Sequence, residues 1–177
     1  MEISRSWAMP SKNTFQIPPI SRLLGKYING SYTVLDPFAG NSGWGTTTND
    51  LNPNTGAQFH REARSFLRHQ IYLGNSFDVV LLDPPYSPRQ IQEVYQSIGK
   101  SPSKQDTQNS KLMKDCKDLL ARLLKPSGLA ICCGWNTVGF GKARGFTMLN
   151  VLIVCHGGAH NDTLVTVERY QPETTKS

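Results

Sequence analysis

Hydrophobic and polar residues follow two different periodicities along this chain. Short runs of β-branched and aliphatic residues, typical of buried strands, occur at 32–35, 77–82, 129–133 and 149–155. Apolar residues at helical spacing lie between them and predict helices over about 19–28, 88–98 and 111–124. A further short strand is expected at the threonine run 46–48. Strands that alternate with helices predict an α/β fold with a doubly wound, mostly parallel sheet.

The last strand is predicted to break this pattern. Residues 162–170 alternate apolar and polar side chains, and a glycine-containing polar segment, 156–161, separates them from the preceding strand. Such a short connection is typical of a hairpin, because parallel neighbours need a long crossover. We therefore expect the final strand to be antiparallel and to lie at the edge of the sheet.

Size and composition indicate one globular unit. The 177 residues are 38% hydrophobic, which is enough for one core, so we expect a single domain over residues 1–170 followed by a polar tail, 171–177. The formal net charge of +6 fits a nucleic-acid partner without requiring one. No apolar run approaches the roughly 20 residues of a membrane span, no signal peptide is evident, and the four cysteines form no CxxC pair. We expect a cytoplasmic protein with reduced thiols.

The apolar run 77–82 ends abruptly in Asp83-Pro84-Pro85-Tyr86. An ionised aspartate only accepts hydrogen bonds, and the two prolines lack an N–H, so this turn presents acceptors next to an aromatic face. That combination suits a planar group carrying an exocyclic amine. The alternative is a strand that simply stops at two prolines.

Two further acidic residues follow predicted strands. Residues 36–40, Asp36-Pro37-Phe38-Ala39-Gly40, form a strand-to-glycine turn of the kind that lets a backbone approach a bulky ligand. Asp50 comes at the end of the threonine run, where an acid can bind both hydroxyls of a ribose. The alternative for Asp50 is a local turn before Pro53.

Asp83-Pro84-Pro85-Tyr86 resembles the catalytic motif of S-adenosylmethionine-dependent amino-methyltransferases, most of all the small adenine-N6 DNA methyltransferases of bacteriophages. Residues 36–40 resemble the cofactor loop of that family, and the string Trp7-x-Met9-Pro10 and residues 157–163 add to the similarity. One departure is that Ser42 occupies the family's second glycine position. The resemblance covers about residues 7–170.

The resemblance implies a role for each part of the site. Asp83 and the Pro84 carbonyl would hold the amine of adenine, Pro85 would stiffen the turn, and Tyr86 would stack on the base. The residues implied to bind S-adenosylmethionine are Phe15, Asp36, Pro37, Phe38, Ala39, Gly40, Asp50 and Leu51. Those implied to contact DNA are Arg89, Lys104, Trp135, Lys142 and Arg144. Trp135 would form one side of the pocket that holds the target base. For Phe15 the alternative is simple core packing, and for Lys142 and Arg144 a glycine loop with incidental charges.

Several functional alternatives remain open at the level of sequence. A ribosomal-RNA guanine-N2 methyltransferase, a cytosine-N4 DNA methyltransferase and an inactive cofactor-binding or DNA-binding relic share parts of this pattern. Only residues 37–82 separate Asp36 from Asp83, which leaves no room for a recognition domain. Specificity would then come from loops, from a second copy of the chain or from another protein. Cys155, His156 and His160 invite a metal interpretation, but no second cluster completes a tetrahedral site, so we expect no metal.

Overall fold

A computed structural model describes residues 1–85, 91–92, 95–96, 98–99, 101, 109–158 and 160–172 of the chain. Seven strands are found there: β1 (Glu2–Trp7), β2 (Val34–Asp36), β3 (Thr47–Thr48), β4 (Phe77–Leu82), β5 (Leu124–Gly134), β6 (Phe146–Cys155) and β7 (Thr163–Tyr170). The α-helices are α1 (Pro18–Tyr27), α2 (Ala63–Tyr72) and α3 (Asn109–Ala121), and two short 3-10 turns cover Thr14–Gln16 and Lys142–Arg144. The predicted helix 88–98 lies largely outside the described residues.

All seven strands form one sheet in the order β1-β6-β7-β5-β4-β2-β3. Neighbouring strands are parallel except β7, which is antiparallel to both β5 and β6. The predicted α/β class, the mostly parallel sheet and the antiparallel final strand are confirmed.

The predicted edge position of the final strand is wrong, because β7 lies in the interior of the sheet. Its polar positions suggested a solvent-facing side, yet Thr166 and Glu168 are each only 1% exposed. The Glu168 carboxylate accepts hydrogen bonds from the backbone amides of Phe140 and Gly141, and the Thr166 hydroxyl donates to the Cys132 carbonyl. Because buried polar groups need such partners, polarity in this strand marks internal hydrogen bonding rather than exposure.

The sequence analysis did not predict β1. Its sequence, Glu-Ile-Ser-Arg-Ser-Trp, lacks an apolar run, and none of its side chains is fully buried. Backbone pairing with β6, from Glu2 opposite Asn150 to Trp7 opposite Cys155, holds the strand at the edge of the sheet. Backbone hydrogen bonds, which do not depend on side chains, therefore add a strand that hydrophobic patterning does not reveal.

The helices cover both faces of the sheet. On one face α1 buries Ile20 and Leu24 in the same cluster as Val79 of β4. On the other, α2 and α3 bury Phe66 and Leu120. The helix boundaries differ slightly from those predicted: α1 begins at Pro18, a favoured first helical residue, and α3 ends at Ala121. The apolar residue Leu124, predicted to end that helix, instead begins β5 opposite Phe77.

The topology brings three turns to one edge of the sheet. β2, β3 and β4 are parallel neighbours, so their carboxyl ends and the residues that follow lie side by side. Those residues are the glycine turn 36–40, Asn49 with Asp50, and Asp83 with its prolines. In the described part of the chain, no helix is long and apolar enough to cross a membrane.

Candidate active site

A cavity of about 570 Å³ opens at the carboxyl edge of the sheet, where open α/β sheets bind their ligands. Its volume falls within the range of about 300–1,000 Å³ that small-molecule sites occupy. Five segments contribute most of the described lining: Ser11 to Gln16, Pro37 to Ser42, Asn49 to Asn52, Arg61 to Ala63, and Asp83 to Pro85. The cavity therefore brings together residues from turns that are far apart in the sequence.

Asp36 directly precedes the lining residues Pro37 to Ser42, but it is completely buried and does not itself line the cavity. Its Oδ1 accepts a hydrogen bond of 3.2 Å from the Phe38 amide, whereas Oδ2 has no hydrogen-bond partner among the described residues. Burial, reinforced by the nearby carboxylates of Asp83 and Asp50, raises the pKa of Asp36 to about 7, although hydrogen bonding from the Phe38 amide and the Ser42 side chain opposes the rise. A cation placed next to this buried carboxyl group would favour its ionised form.

The Asp50 carboxylate connects the turn after β2 to the turn after β3. One oxygen accepts the Gly40 amide at 2.8 Å, and the other accepts the Asn52 amide at 2.8 Å. The latter bond is the local turn named as the alternative for this residue. Because a carboxylate has about four lone-pair sites, each oxygen retains capacity for a further donor. Asp50 and Leu51 both line the cavity, so the local turn and a ligand contact are compatible.

Asn49 is an additional positioning residue that the sequence analysis did not identify. It is buried, and its amide group donates to the carbonyls of Pro37 and Arg61 at 3.1 and 3.0 Å. Its side-chain oxygen accepts the Arg61 amide at 3.0 Å. The side chain therefore fixes the glycine turn relative to the start of α2. Its position next to Asp50 was the only sequence signal, and it does not distinguish a buried asparagine from a turn residue.

The segment 11–16 forms another wall of the cavity. Phe15 is 3% exposed; it belongs to the core beside α1 and also lines the cavity, so its two predicted roles are compatible. The Gln16 side chain donates to the Asn41 carbonyl at 3.3 Å, which links this segment to the loop after the glycine turn. Lys12 and Asn13, which were not predicted as site residues, also line the cavity.

Asp83 and Pro84 come directly after β4. Asp83 is half-buried, Pro84 is buried, and both contribute to the same lining as Phe15, Gly40 and Asp50. The structure thus brings together the described residues of the two predicted motifs. Tyr86, Arg89 and Lys104 lie outside the described residues.

The remaining predicted nucleic-acid residues lie in the segment between β5 and β6. Trp135 is 51% exposed and lines a second cavity of about 240 Å³, together with Met113 and Lys117 of α3. Lys142 is exposed. Arg144, in contrast, is held by the Asp118 carboxylate at 2.6 Å and the Phe140 carbonyl at 3.0 Å. These contacts give Arg144 a structural role in fixing the segment against α3.

His156 belongs to the group that was weighed as a metal site. It is buried, and its ring nitrogens lie 2.8 Å from the Ala8 carbonyl and 2.8 Å from the Thr163 hydroxyl. The imidazole therefore joins the segment after β1 to the β6–β7 hairpin. In the part of the chain that the structure describes, no three His, Cys, Asp or Glu side chains form a cluster suited to a metal ion.

Comparison with known proteins identifies the fold. No family model and no curated protein matches the sequence. Among solved structures, TrmN from Thermus thermophilus is similar with a TM-score of 0.55 and 18% identity, over 87% of this chain and 49% of TrmN. NSun6 from Pyrococcus horikoshii, solved with SFG, is similar with a TM-score of 0.53 and 10% identity, over 78% of this chain and 48% of NSun6. The N-methyltransferase NodS from Bradyrhizobium japonicum, in complex with S-adenosylhomocysteine, is similar with a TM-score of 0.52 and 13% identity, over 88% of this chain and 85% of NodS.

These similarities show that the chain has the Rossmann-like fold of S-adenosylmethionine-dependent methyltransferases. The chain spans about half the length of TrmN and NSun6. At these low identities the likeness is one of fold.

Proposed function

We propose that this protein transfers a methyl group from S-adenosylmethionine to the exocyclic N6 amine of adenine in DNA. The observation that carries the proposal is that Asp83 and Pro84 line the same cavity as Gly40 and Asp50. The turn after β4, which is rich in hydrogen-bond acceptors, therefore lines the same cavity as the two turns that resemble a cofactor site. The net charge of +6 favours an anionic nucleic acid as the substrate.

The residues around the cavity fit the proposed cofactor. S-adenosylmethionine supplies an electrophilic methyl group on a sulfonium, and it also carries an ammonium group and a ribose diol. One oxygen of the buried Asp36 has no hydrogen-bond partner among the described residues, and a nearby ammonium would stabilise the charged form of this acid, whose pKa is raised to about 7. Asp50 retains acceptor capacity for the diol. The buried ring of Phe15 offers an apolar wall.

Asp83 and the Pro84 carbonyl would act on the amine of the target base. The lone pair of an aromatic amine is delocalised into the ring, so the flat amine is a poor nucleophile. Two acceptors that bind its hydrogens favour the pyramidal nitrogen, whose lone pair is free to bond to carbon. The nitrogen would bond to the methyl carbon as the carbon–sulfur bond breaks and S-adenosylhomocysteine leaves, and it would lose one proton, for which Asp83 is the carboxylate of the motif. Interactions stronger in the transition state than in the ground state are those that raise the rate.

A radiochemical assay tests the proposal. The purified chain is incubated with S-adenosylmethionine tritiated in the methyl group and with duplex DNA, single-stranded DNA or ribosomal RNA, and the nucleosides are then separated. Label in N6-methyl-2′-deoxyadenosine from DNA is expected. Label in N4-methyl-2′-deoxycytidine, or label in RNA alone, would mean a different substrate for the same methyl-transfer chemistry. Cofactor binding without transfer to any of the three would point to an inactive relic.

RNA is the second candidate substrate. Only residues 37–82 lie between the two motifs, which is too short a stretch to contain a separate module for reading a DNA sequence. RNA base methyltransferases with a similar acceptor motif need no such module. The ribosomal RNA arm of the assay, with analysis for N2-methylguanosine, distinguishes this candidate from the first.

A further inference from the structure

The edge strand β1 exposes large apolar side chains. Among the described strands, β1 pairs with β6 alone, and its side chains Ile3 and Trp7 are 63% and 64% exposed. The large hydrophobic side chains exposed in the described part of the chain are Met1, Ile3, Trp7, Met9, Tyr72, Leu73, Trp135 and Val138. Half of them thus fall in the first nine residues, along this edge strand or next to it. An exposed apolar edge strand is a ready template for pairing with another strand.

No strand within the described ranges pairs with the outer side of the β1 backbone. The Ala8 amide donates to the Cys155 carbonyl at 3.1 Å, so the backbone groups of Ala8 point towards β6. Because the direction of these groups alternates along a strand, those of Ile3, Arg5 and Trp7 point away from the sheet. The side chains of the same three residues share one face, the face that α2 and α3 cover elsewhere in the sheet.

We propose that the chain forms a twofold-symmetric dimer in which β1 pairs antiparallel with β1 of a second copy. Ser4 lies on the twofold axis, opposite Ser4 of the second copy. Ile3 then lies opposite Arg5, and Trp7 opposite Met1. The outward backbone groups of Ile3 and Arg5 exchange hydrogen bonds with their counterparts, and the two sheets become one. This inference is independent of the proposed methyl transfer.

Charge selects this register. Residues opposite each other in a sheet share a face, so the alternative registers differ by two residues. Moving the axis to Arg5 places two guanidinium groups opposite each other, and like charges in that position are destabilising. Moving it to Ile3 pairs only Glu2, Ile3 and Ser4 of the strand Glu2–Trp7, whereas five residues of that strand pair with the axis at Ser4. With Ser4 on the axis, Glu2 lies opposite Ser6 and no like charges face each other, so the strand is complementary to itself.

Because the strand is complementary to itself, we expect its pairing partner to be β1 of a second copy; a twofold interface uses the same patch on both partners. The segment 135–145 between β5 and β6 contains only the 3-10 turn Lys142–Arg144 as regular structure, so no helix of that connection lies beside this edge. A single strand pair is smaller than a standard interface of about 1,600 Å², so the dimer should be concentration-dependent.

Cysteine cross-linking tests the register. A pair on the axis that does not exchange hydrogen bonds has Cα atoms about 4.5 Å apart, within the range for a disulfide. Ser4→Cys is therefore expected to form an intermolecular disulfide under mild oxidation. Ser6→Cys is the matched control, because its counterpart in the other copy is Glu2. The four native cysteines are buried and should not interfere.

Sedimentation equilibrium tests the dimer itself. The parent chain is expected to shift from monomer to dimer with rising concentration. Arg5→Pro removes an outward N–H while leaving the pairing with β6 intact, and it should give a folded monomer by circular dichroism. Leu73→Lys, which changes an exposed apolar residue away from the edge, should dimerise like the parent. A parent chain that stays monomeric throughout, or equal cross-linking of Ser4→Cys and Ser6→Cys, would overturn the proposal.

Discussion

The backbone amide of Gly40 donates a hydrogen bond of 2.8 Å to the Asp50 carboxylate. This bond joins the turn after β2 to the turn after β3. Gly40 has a φ of +51°, a conformation that glycine adopts without strain. A second bond, from the Asn52 amide, fixes the other carboxylate oxygen. Asp50 is thus oriented before any ligand arrives, and such preorganisation lowers the entropic cost of binding.

Replacing Asp50 should weaken both the protein and its ligand site. Asp50→Ala removes two hydrogen bonds to backbone amides, each worth about 0.5–1.5 kcal/mol, so the free energy of unfolding should fall by roughly 1–3 kcal/mol. Loss of the proposed bonds to the ribose should also weaken S-adenosylmethionine binding about tenfold or more. Denaturant unfolding and titration calorimetry measure the two effects. Unchanged affinity in a folded variant would remove Asp50 from the cofactor site.

The buried Asp36 should make the ligand-free protein less stable as the pH rises. Its pKa is about 7 when folded and near 3.8 when unfolded, so between these values the folded state holds a proton that the unfolded state has lost. Stability therefore falls across this window, by up to about 4 kcal/mol. Asp36→Asn does not titrate, so the variant should gain stability relative to the parent between pH 5 and pH 8.

Asp78→Asn is the control when the free energy of unfolding is compared between pH 5 and pH 8. Asp78 lies at the other end of β4, where the Lys125 ammonium at 2.9 Å and the Thr33 amide lower its pKa to about 2. Its contribution to stability is present above about pH 4 and is lost as the pH falls towards 2. Its replacement should lower stability by a similar amount at pH 5 and pH 8. A flat difference for Asp36→Asn as well would mean that Asp36 is already ionised in the folded protein.

Lys142 and Arg144 should behave differently although both were predicted to contact phosphates. If Lys142 contacts a phosphate, Lys142→Ala should reduce the salt dependence of DNA binding by about one unit of slope. Arg144→Ala should instead lower stability through its bonds to Asp118 and Phe140. Asp118 is 44% exposed, so the ion pair itself is worth no more than about 1 kcal/mol.

A double-mutant cycle separates the two roles of Arg144. Coupling between Arg144→Ala and Asp118→Ala in unfolding experiments would reveal the structural pair. A reduced salt slope for Arg144→Ala, without such coupling, would return the residue to the phosphate-binding interpretation.

Hydrophobic patterning predicted most of the sheet, because β4, β5 and β6 are buried on both faces and read as apolar runs. It was not sufficient for polar residues that are buried inside the protein. Glu168 and Asn49 are both 1% exposed, and each forms hydrogen bonds with backbone groups distant in sequence. Arg144 illustrates the same limit, since its partner Asp118 lies on another element. Residue types predicted which side chains could take part in the chemistry. Only the fold shows which of these side chains already have hydrogen-bond or ion-pair partners within the protein.

The most direct test of the proposed chemistry is Asp83→Asn. The change keeps the shape of the side chain but replaces one acceptor oxygen with a donor group and removes the charge. Losing one preorganised electrostatic partner in a transition state typically costs about 10²–10³ in rate, or roughly 2.7–4 kcal/mol. We therefore expect the rate of methyl transfer in a single turnover to fall by at least that factor, while the cofactor still binds.

Asp78→Asn again serves as the matched control, because Asp78 is on the same strand but outside the cavity lining. It should lower stability and leave the single-turnover rate close to that of the parent. Single-turnover conditions matter here, since steady-state rates also report product release. If Asp83→Asn folds, binds S-adenosylmethionine and methylates DNA at the parent rate, the acceptor role of Asp83 is wrong. The amine would then have to be activated by another group in the cavity.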